Sequence, residues 1–416
     1  MGLSGCAQRA PDAEFVRRIP WIGNGVWLKA DLHSHSRFSD GIREPAEVVA
    51  RAKQYGCDVI AITDHTDHDL RAATDEYFQA TAALRQENPD RIMLDGIEWN
   101  IPPANGDDHA GVLVPSGPEG IRALKEFKAR FDDLGRDSHQ EELAHEALRW
   151  LAEQCKSWPV APVVIFNHPS RKAARSLDHL DMILRLRRTS ELLVGFEGSP
   201  GHQGAATLGS YVGSEPLMDR WDPAAARVGD LWDQLLARGE DFWGAVAFSD
   251  FHEELADGLR DHWPGEFSET WLYAPERTAA GALNALHAGS FFADHGWIVR
   301  EVRLTVAAAG LPRPAWSGES ITVRESASVT ATIELTIPER DWAGESNRVD
   351  QVELIAIDSR RARVVATRAP LGGSVALSES LTVPPGGLVL RARGRRHVVE
   401  GPDLCFYTNP IRISSR

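Results

Sequence analysis

Strand-like and helical runs alternate from about residue 25 to about residue 298, and this alternation limits the fold more than any other feature. The strand-like runs lie at 26–32, 58–63, 92–97, 109–114, 163–167, 192–197 and 243–249. The helical runs lie at 44–55, 74–87, 119–132, 139–155, 176–188 and 223–238. Such alternation is typical of parallel strands joined by right-handed crossovers. Because seven strands are enough to close a barrel, we predict an α/β barrel over residues 25–298.

The texture of the sequence changes after residue 298, where helical patterns stop. Short runs at 302–306, 329–335 and 388–393 are separated by Gly, Pro and Ser turns. Short strands with this spacing are typical of a β-sandwich. We therefore predict an all-β, sandwich-like domain over 299–416 that stabilises the barrel, and an N-terminal tail over 1–24.

Three histidines and several carboxylates fall within 35 residues near the start of the predicted barrel. They belong to the motifs Asp31-Leu32-His33-Ser34-His35, Ser39-Asp40-Gly41 and Thr63-Asp64-His65. Residues i and i+2 of a strand point to the same face, so His33 and His35 are placed to share one metal. The same spacing returns at Asp250 and His252. Imidazole and carboxylate groups are ligands of divalent transition metals, so the sequence predicts a multinuclear metal site.

Later residues would complete this site, and their positions along the chain support it. They are Glu98, His109, His168, Asp250 and His252. All but one lie in the last residues of a strand run or just after it, where barrel enzymes place their chemistry. His109 is the exception, because it begins its run. A strand that starts earlier, or one that runs antiparallel, would bring His109 to the same end as the others.

Composition narrows the class of protein. The chain has 45 Lys and Arg against 60 Asp and Glu, a net charge of −15, which argues against a nucleic-acid binder. No run of 18 apolar residues is present, so no membrane span is expected. The four cysteines form no Cys-x-x-Cys pair, which argues against a thiolate zinc site. A small-molecule substrate is the expected partner.

The N-terminus contains Leu3-Ser4-Gly5-Cys6, which resembles the site of lipid attachment in bacterial lipoproteins. The basic and apolar segments that should precede such a site are missing. We favour a truncated lipoprotein, anchored at Cys6 outside the cytoplasm, over an accidental match in a cytoplasmic protein.

The ordered motifs resemble a known family. Asp-Leu-His-Ser-His, Ser-Asp-Gly, Thr-Asp-His, Gly-Ile-Glu, Asn-His-Pro and Ser-Asp-Phe-His are similar to those of the PHP (polymerase and histidinol phosphatase) domain over about residues 25–298. The added C-terminal strands, with their Tyr407-Thr408-Asn409-Pro410-Ile411 ending, resemble the CehA/McbA-type branch, some members of which hydrolyse carbamates or esters. The resemblance implies a distorted (β/α)₇ barrel that binds two to three divalent metals, with Zn, Mn and Fe as candidates.

The resemblance also implies a ligand set for each metal. The first metal would take His33, His35, Glu98 and Asp250. Glu98 would bridge to a second metal completed by His109 and His168, and a third would take Asp40, His65 and His252. Metals that share Glu98 would hold a bridging hydroxide as nucleophile, and Asp250 would also handle a proton. Asp64 either orients a metal-bound histidine or caps the turn that follows it.

Two further residues are candidates for substrate contact. Arg171, directly after His168-Pro169-Ser170, would bind a phosphate or carboxylate, or else belongs to a solvated basic run. His202 follows a strand run in a glycine-rich loop, where substrate contacts are common. We therefore expect a phosphoesterase that acts on a small phosphate ester. The alternative is a hydrolase of carboxylic esters, carbamates or amides, and a non-catalytic binding protein is a third possibility.

Overall fold

The computed structural model of the chain describes residues 12–66, 70–102, 108–132, 140–170, 177–199, 201, 219–253, 261–369, 375–399 and 401–416. Cys6, Arg171 and His202 lie outside these ranges, so the predictions made for them are not addressed by the structure. No helix in the described ranges is both long and apolar enough to cross a bilayer.

The first part of the chain mixes strands and helices, as predicted. Its strands are β1 (Ala13–Arg17), β2 (Val26–Asp31), β3 (Val59–Ile60), β4 (Ile92–Met93), β5 (Asp95–Asn100), β6 (His109–Val114), β7 (Val163–Phe166), β8 (Leu193–Phe196), β9 (Ser268–Ala274) and β10 (Phe291–His295). Its α-helices are α1 (Pro45–Gln54), α2 (Asp75–Glu87), α3 (Pro118–Phe131), α4 (Glu141–Gln154), α5 (Leu177–Thr189), α6 (Pro223–Ala226), α7 (Leu231–Ala237) and α8 (Ala279–Ala288). A 3₁₀ turn, Cys155–Ser157, follows α4. The run predicted at 223–238 is divided into α6 and α7, and β9, α8 and β10 were not predicted.

Helix α1 shows how local sequence sets these boundaries. Pro45 occupies its first turn, where the missing N–H leaves no hydrogen bond unmade. Gly56, just after the helix, has a φ of 81°, a conformation that glycine adopts without a steric penalty. Both ends lie within one residue of the predicted helical run at 44–55. Val48 and Val49 of this helix are buried in the apolar core that also contains most other helices of the first part.

Strands β9, β2, β3 and β4 lie side by side in one sheet, and β5 to β8 form another sheet next to it. We call this curled arrangement of strands the curled wall. The pairs β2–β3, β3–β4 and β7–β8 are parallel, as predicted. Strand β6 instead runs antiparallel to both β5 and β7. The prediction of parallel strands throughout is therefore wrong for β6, and the antiparallel alternative raised for His109 is confirmed. Reversal of β6 brings its first residue beside the last residue of β5, with Asn100 paired to His109.

The run predicted as a strand at 243–249 is extended but is not a regular strand. Its only strand-type bridge in the described chain joins Trp243 to Gly195 on β8. Its other edge reaches the segment after β2, because Asp250 N–H donates to His33 O at 2.9 Å and His35 N–H donates to Phe251 O at 2.8 Å. The segment thus lies between β8 and the end of β2 and brings Asp250 to the end of the wall.

The second part is strand-rich, as predicted. Its strands are β11 (Glu301–Ala308), β12 (Ala315–Trp316), β13 (Ser320–Val323), β14 (Ser328–Thr336), β15 (Gln351–Ile357), β16 (Ala362–Arg368), β17 (Val375–Thr382), β18 (Leu388–Arg396), β19 (Leu404–Thr408) and β20 (Ile411–Ser415). One sheet has the order β12-β11-β14-β17. The other C-terminal strands belong to a 12-stranded sheet that also contains β10, β9 and β2.

This long sheet crosses the predicted domain boundary at residue 298. Strand β10 pairs on one side with β9 and on the other with β19. Strand β1, which lies within the predicted tail, pairs with β13. The apolar cores cross the boundary too, because Ile355, Val389 and Tyr407 pack in the same cluster as the helices of the first part. The domain limits and the separate β-sandwich stay predictions, while the backbone pairing joins the two parts through one sheet.

Candidate metal centre

The predicted ligands come together at one end of the curled wall because most of them lie near or just after the end of an extended segment, and His109 begins a strand that runs in the opposite direction. His33 and His35 follow β2, and His65 follows the segment that extends β3. Glu98 lies on β5, where a backbone bridge pairs it with His65. All the predicted metal ligands lie in the described ranges, and the distances below place each within 4 Å of another ligand.

The first group of donors is fully buried. It consists of His33, His35, Glu98 and Asp250. The Nε2 atoms of His33 and His35 are 3.2 Å apart, and each is also 3.2 Å from Asp250 Oδ1 and 3.2 Å from one oxygen of Glu98. Two imidazole nitrogens and oxygens of two carboxylates therefore converge on one region.

The second group is centred on the Glu98 carboxylate. His109 Nδ1 lies 3.2 Å from Glu98 Oε1, and His65 Nδ1 lies 3.2 Å from Glu98 Oε2. His168 Nε2 is 3.6 Å from Glu98 Oε1. Glu98 thus contacts predicted ligands of both groups, as a carboxylate that bridges two metals would. His109 reaches Glu98 because β6 is antiparallel to β5.

The third group surrounds Asp40, the least buried of the ligands. It consists of His35, Asp40, His65 and His252. Asp40 Oδ2 is 3.3 Å from His252 Nε2 and 3.6 Å from His65 Nε2. The His252 ring stacks on His35 with 4.0 Å between centroids, and its Nδ1 bonds the Asp250 carbonyl at 2.9 Å. That bond leaves His252 Nε2 to face Asp40.

Unusual backbone angles accompany two of the ligands. His168 has a φ of 24° and Asp250 has a φ of 48°, values that residues with a Cβ seldom adopt. Such conformations cost about 1–3 kcal/mol each and concentrate at functional sites. Gly201, with a φ of 73°, lies so close to Asp250 that a Cβ there would overlap the carboxylate.

The comparisons with known proteins identify the N-terminal part of this site. Residues 31–158 match the PHP domain family. The match confirms the predicted resemblance over a stretch that contains His33, His35, Asp40, His65, Glu98 and His109. It ends before His168, Asp250 and His252, which the fold brings to the same cluster.

Individual proteins that resemble this chain are either matched over a short stretch or distant in sequence. An uncharacterised protein of Methanocaldococcus jannaschii is 37% identical over 120 residues, which cover 26% of this chain and 55% of that protein. The chain therefore spans about half the length of this curated relative. A two-domain protein from Bacteroides vulgatus that contains a predicted PHP-like metal-dependent phosphoesterase is 15% identical, with a TM-score of 0.43, covering 94% of this chain and 95% of that one. An amidohydrolase from Chromobacterium violaceum is 18% identical, with a TM-score of 0.31, covering 55% and 89%.

The PHP-like cluster has the chemistry and spacing of a metal site. Ligands about 2.1 Å from a tetrahedral metal lie about 3.4 Å from one another. The 3.2 Å separations in the first group are close to this value. Glu98 Oε2 is buried and accepts no hydrogen bond from the described residues, which is costly for a carboxylate oxygen. A divalent cation would satisfy this oxygen and the imidazole nitrogens that face it.

The charges within the cluster point the same way. Burial opposes the charge on Glu98, but the histidines around it, His65 and His33 foremost, hold its pKa well below the usual value. Burial also opposes a positive charge on His35, yet contacts with Asp250, Asp40 and Glu98 raise its pKa to about 10. The cluster therefore attracts cations strongly.

Two buried residues near the cluster were not predicted as site residues. Glu197, just after β8, has Oε1 2.8 Å from His33 Nδ1. Asn167 donates to Glu98 Oε1 at 2.7 Å and accepts from Gly111 N–H at 3.1 Å. An acid directly after an apolar strand run was the available signal for Glu197, since the same pattern singled out Glu98.

The structure also clarifies Asp64 and Trp99. Asp64 accepts hydrogen bonds from Ser36 N–H and Ser36 Oγ, both at 2.7 Å, and from Ser39 Oγ at 2.6 Å. It therefore organises the loop after His35. Trp99 is buried, donates to Phe131 O and packs on Phe127, which is a core position.

Proposed function

We propose that the protein is a metal-dependent hydrolase that acts on a small phosphate ester. The observation that carries this proposal is the set of three overlapping groups of His, Asp and Glu side chains, two of which contain Glu98. The match of residues 31–158 to the PHP domain supports it. Bound divalent metals would polarise the substrate and lower the pKa of coordinated water towards neutrality, which makes hydrolysis fast near pH 7.

The side chains of this chain have separable tasks in that reaction. Glu98 links the first and second donor groups, so it would hold two cations at a fixed separation. Asp250 belongs to the first group, and its Oδ2 lies beside Gly201, on the opposite side from Oδ1. One oxygen would then serve as ligand while the other handles a proton. The buried positions of His33, His35 and Glu98 keep bulk water away from these charges.

A phosphate ester is favoured over a carboxylic ester as the substrate because the three groups of ligands could bind up to three metal cations. A phosphate monoester brings two negative charges to the site, and several cations offset that charge better than one. Arg171, if it reaches the substrate, would add a further cation. The alternative, an ester, carbamate or amide hydrolase of the CehA/McbA type, would need an apolar slot in place of that added charge.

Elemental analysis together with a substrate screen tests the proposal. The purified chain should bind two to three transition metals and turn over 4-nitrophenyl phosphate or its diester faster than 4-nitrophenyl acetate or an aryl carbamate. Metals with only ester or carbamate turnover would favour the alternative. Absence of both metal and turnover after reconstitution with Zn²⁺, Mn²⁺ and Fe²⁺ would reject a metallohydrolase.

Variants test the ligand assignment independently of the substrate. His33→Ala and Asp250→Ala should each abolish turnover and lower the bound metal per chain. His145→Ala is the matched control, because His145 lies on α4 and bonds Thr189 and Glu141, away from the cluster. Full metal content and rate in both ligand variants would show that the assignment is wrong.

A further inference from the structure

His33 is held by a buried carboxylate outside the ligand set. Its Nδ1 lies 2.8 Å from Glu197 Oε1, and both side chains are about 2% exposed. A carboxylate accepts hydrogen bonds, so Nδ1 carries the proton and Nε2 carries the lone pair. Asn167 Nδ2 donates one N–H to Glu98 Oε1 at 2.7 Å, and its second N–H faces His33 Nε2 at 3.4 Å, which agrees with a lone pair on that nitrogen.

His35 is oriented by a carboxylate one step further away. Its Nδ1 lies 3.3 Å from Ser39 Oγ and 3.4 Å from Oδ1 of the half-exposed Asp40. The Ser39 hydroxyl donates its single proton to Asp64 Oδ1 at 2.6 Å, in preference to Asp40 at 3.1 Å. The oxygen of Ser39 is therefore free to accept from His35 Nδ1–H. In the neutral ring that binds a metal, as in that of His33, the lone pair then lies on Nε2.

These two tautomers place two lone pairs face to face. The Nε2 atoms of His33 and His35 are 3.2 Å apart, with Asp250 Oδ1 3.2 Å from each. Acceptors at this distance repel one another unless a cation lies between them. Second-layer carboxylates of this kind commonly fix the tautomer of metal-binding histidines and raise their basicity.

We infer that Glu197, directly, and Asp64, through Ser39, are positioning residues that turn the Nε2 atoms of His33 and His35 towards one metal. The inference rests on the proposed metal-dependent function and deepens it. It assigns a task to Glu197 and to Ser39 that neither the family match nor the motifs specify, and it selects the first of the two roles predicted for Asp64.

Zn²⁺ affinity, measured by competition with a chromophoric chelator, tests this inference without any substrate. Glu197→Ala and Ser39→Ala should each weaken Zn²⁺ binding by about 10–100-fold, the range found for such outer partners. Glu197→Gln keeps an oxygen that can accept from Nδ1–H, so it should recover part of the loss, and Ser39→Thr keeps the hydroxyl and should recover most of it. The visible spectrum of bound Co²⁺ should change in the two alanine variants.

The controls separate positioning from simple destabilisation. Glu319→Gln alters another fully buried glutamate, which bonds Ile19 N–H and Arg313 far along the chain from the ligands, and should leave Zn²⁺ affinity unchanged. Affinities of Glu197→Ala and Ser39→Ala within about twofold of the unaltered protein would overturn the inference while leaving the proposed function intact. Failure of the unaltered protein to bind Zn²⁺, Mn²⁺ or Fe²⁺ would overturn the proposed function first.

Discussion

Two buried clusters in this protein neutralise carboxylate charge in different ways. At the contact between α7 and β18, Asp233 receives both hydrogen bonds of a fork from Arg391, at 2.7 and 3.0 Å, and the two side chains are 1% and 0% exposed. At the end of the curled wall, Glu98 and Asp250 are just as buried but are surrounded by histidines. Asp233 is paired with a side chain that is always charged, whereas the histidines around Glu98 can gain or lose a proton.

This difference distinguishes an ion pair that stabilises the fold from a cluster that is suited to binding a metal. A buried carboxylate without a cation costs several kcal/mol, so each cluster needs a positive partner. Arginine stays charged at every accessible pH and therefore makes a fixed contact. Histidine nitrogens accept either a proton or a metal, so the cluster around Glu98 can hold a metal in place of a proton, as the proposed function requires.

The largest effect should come from Glu98→Gln, which keeps the shape of the side chain and removes its charge. Because Glu98 lies within 3.6 Å of His33, His35, His65, His109 and His168, the change should reduce kcat/KM by roughly 10³-fold or more and lower the metal content. Steady-state kinetics with elemental analysis measures both. Unchanged kinetics and metal content would remove Glu98 from the centre of the site.

Arg391→Leu tests the other cluster, with stability as the readout. The change leaves Asp233 buried without its cation, so the free energy of unfolding should fall by about 3–5 kcal/mol. The double variant with Asp233→Leu should recover most of that loss, because two apolar side chains then replace the ion pair. Urea unfolding of both single variants and the double variant gives the coupling energy.

Metal content per folded chain is the control for the Arg391 experiment. It should be the same in all these variants, since the fork lies outside the ligand set. A double variant as unstable as Arg391→Leu would show that the cost comes from lost packing, including the stacking of Arg391 on Trp232 at 4.7 Å, and not from the unpaired carboxylate.

The sequence predicted which His, Asp and Glu side chains lie together in the cluster better than it predicted their neighbours. The i, i+2 spacing of His33 and His35 after a strand is a local pattern, so their shared face could be derived. The reversal of β6 depends on how a distant strand pairs, and only the misplaced position of His109 hinted at it. Glu197 was missed because a lone acid after a strand is common, and its importance comes from a histidine 164 positions away.

The joining of the two parts was also beyond the sequence. The change of texture after residue 298 is real, since helices give way to strands. Strand pairing between β10 and β19, however, unites residues more than 110 positions apart in sequence, and no local pattern specifies such a partner. The sequence pattern therefore placed a domain boundary where backbone hydrogen bonds join the two parts.

A third buried cluster provides a smaller test, in which a proton balances the charge. Asp294 lies opposite Glu269 in the β9–β10 pair, and Lys29 contacts Glu269 at 2.5 Å. Burial, and then the charge of Glu269, raise the pKa of Asp294 well above its usual value. The folded protein therefore keeps a proton that the unfolded chain loses above about pH 4, and stability falls as the pH rises through that window.

Asp294→Asn should remove this dependence. The loss in the unaltered protein has a maximum slope of about 1.4 kcal/mol per pH unit, so the variant should gain stability relative to it as the pH rises from 5 to 8. Urea unfolding at several pH values measures the difference. Asp75→Asn, at an exposed aspartate on α2, is the control, and equal pH slopes for all three proteins would contradict the assignment to Asp294.

The smallest expected effect concerns whether the C-terminal strands act on the site or only stabilise it. Asn409 accepts from Ala245 N–H at 3.3 Å and donates to Gly289 O and Phe291 O at 3.3 and 3.4 Å, so it holds the segment that leads to Asp250. These bonds are long, and Asn409→Ala should cost about 1 kcal/mol of stability and less than tenfold in kcat/KM. Asn347→Ala is the matched control, because Asn347 bonds Trp297 O and Ile298 O instead. A loss of stability in both variants with a loss of rate only in Asn409→Ala would show that the C-terminal strands position Asp250. Equal rates in the two variants would limit those strands to stabilisation.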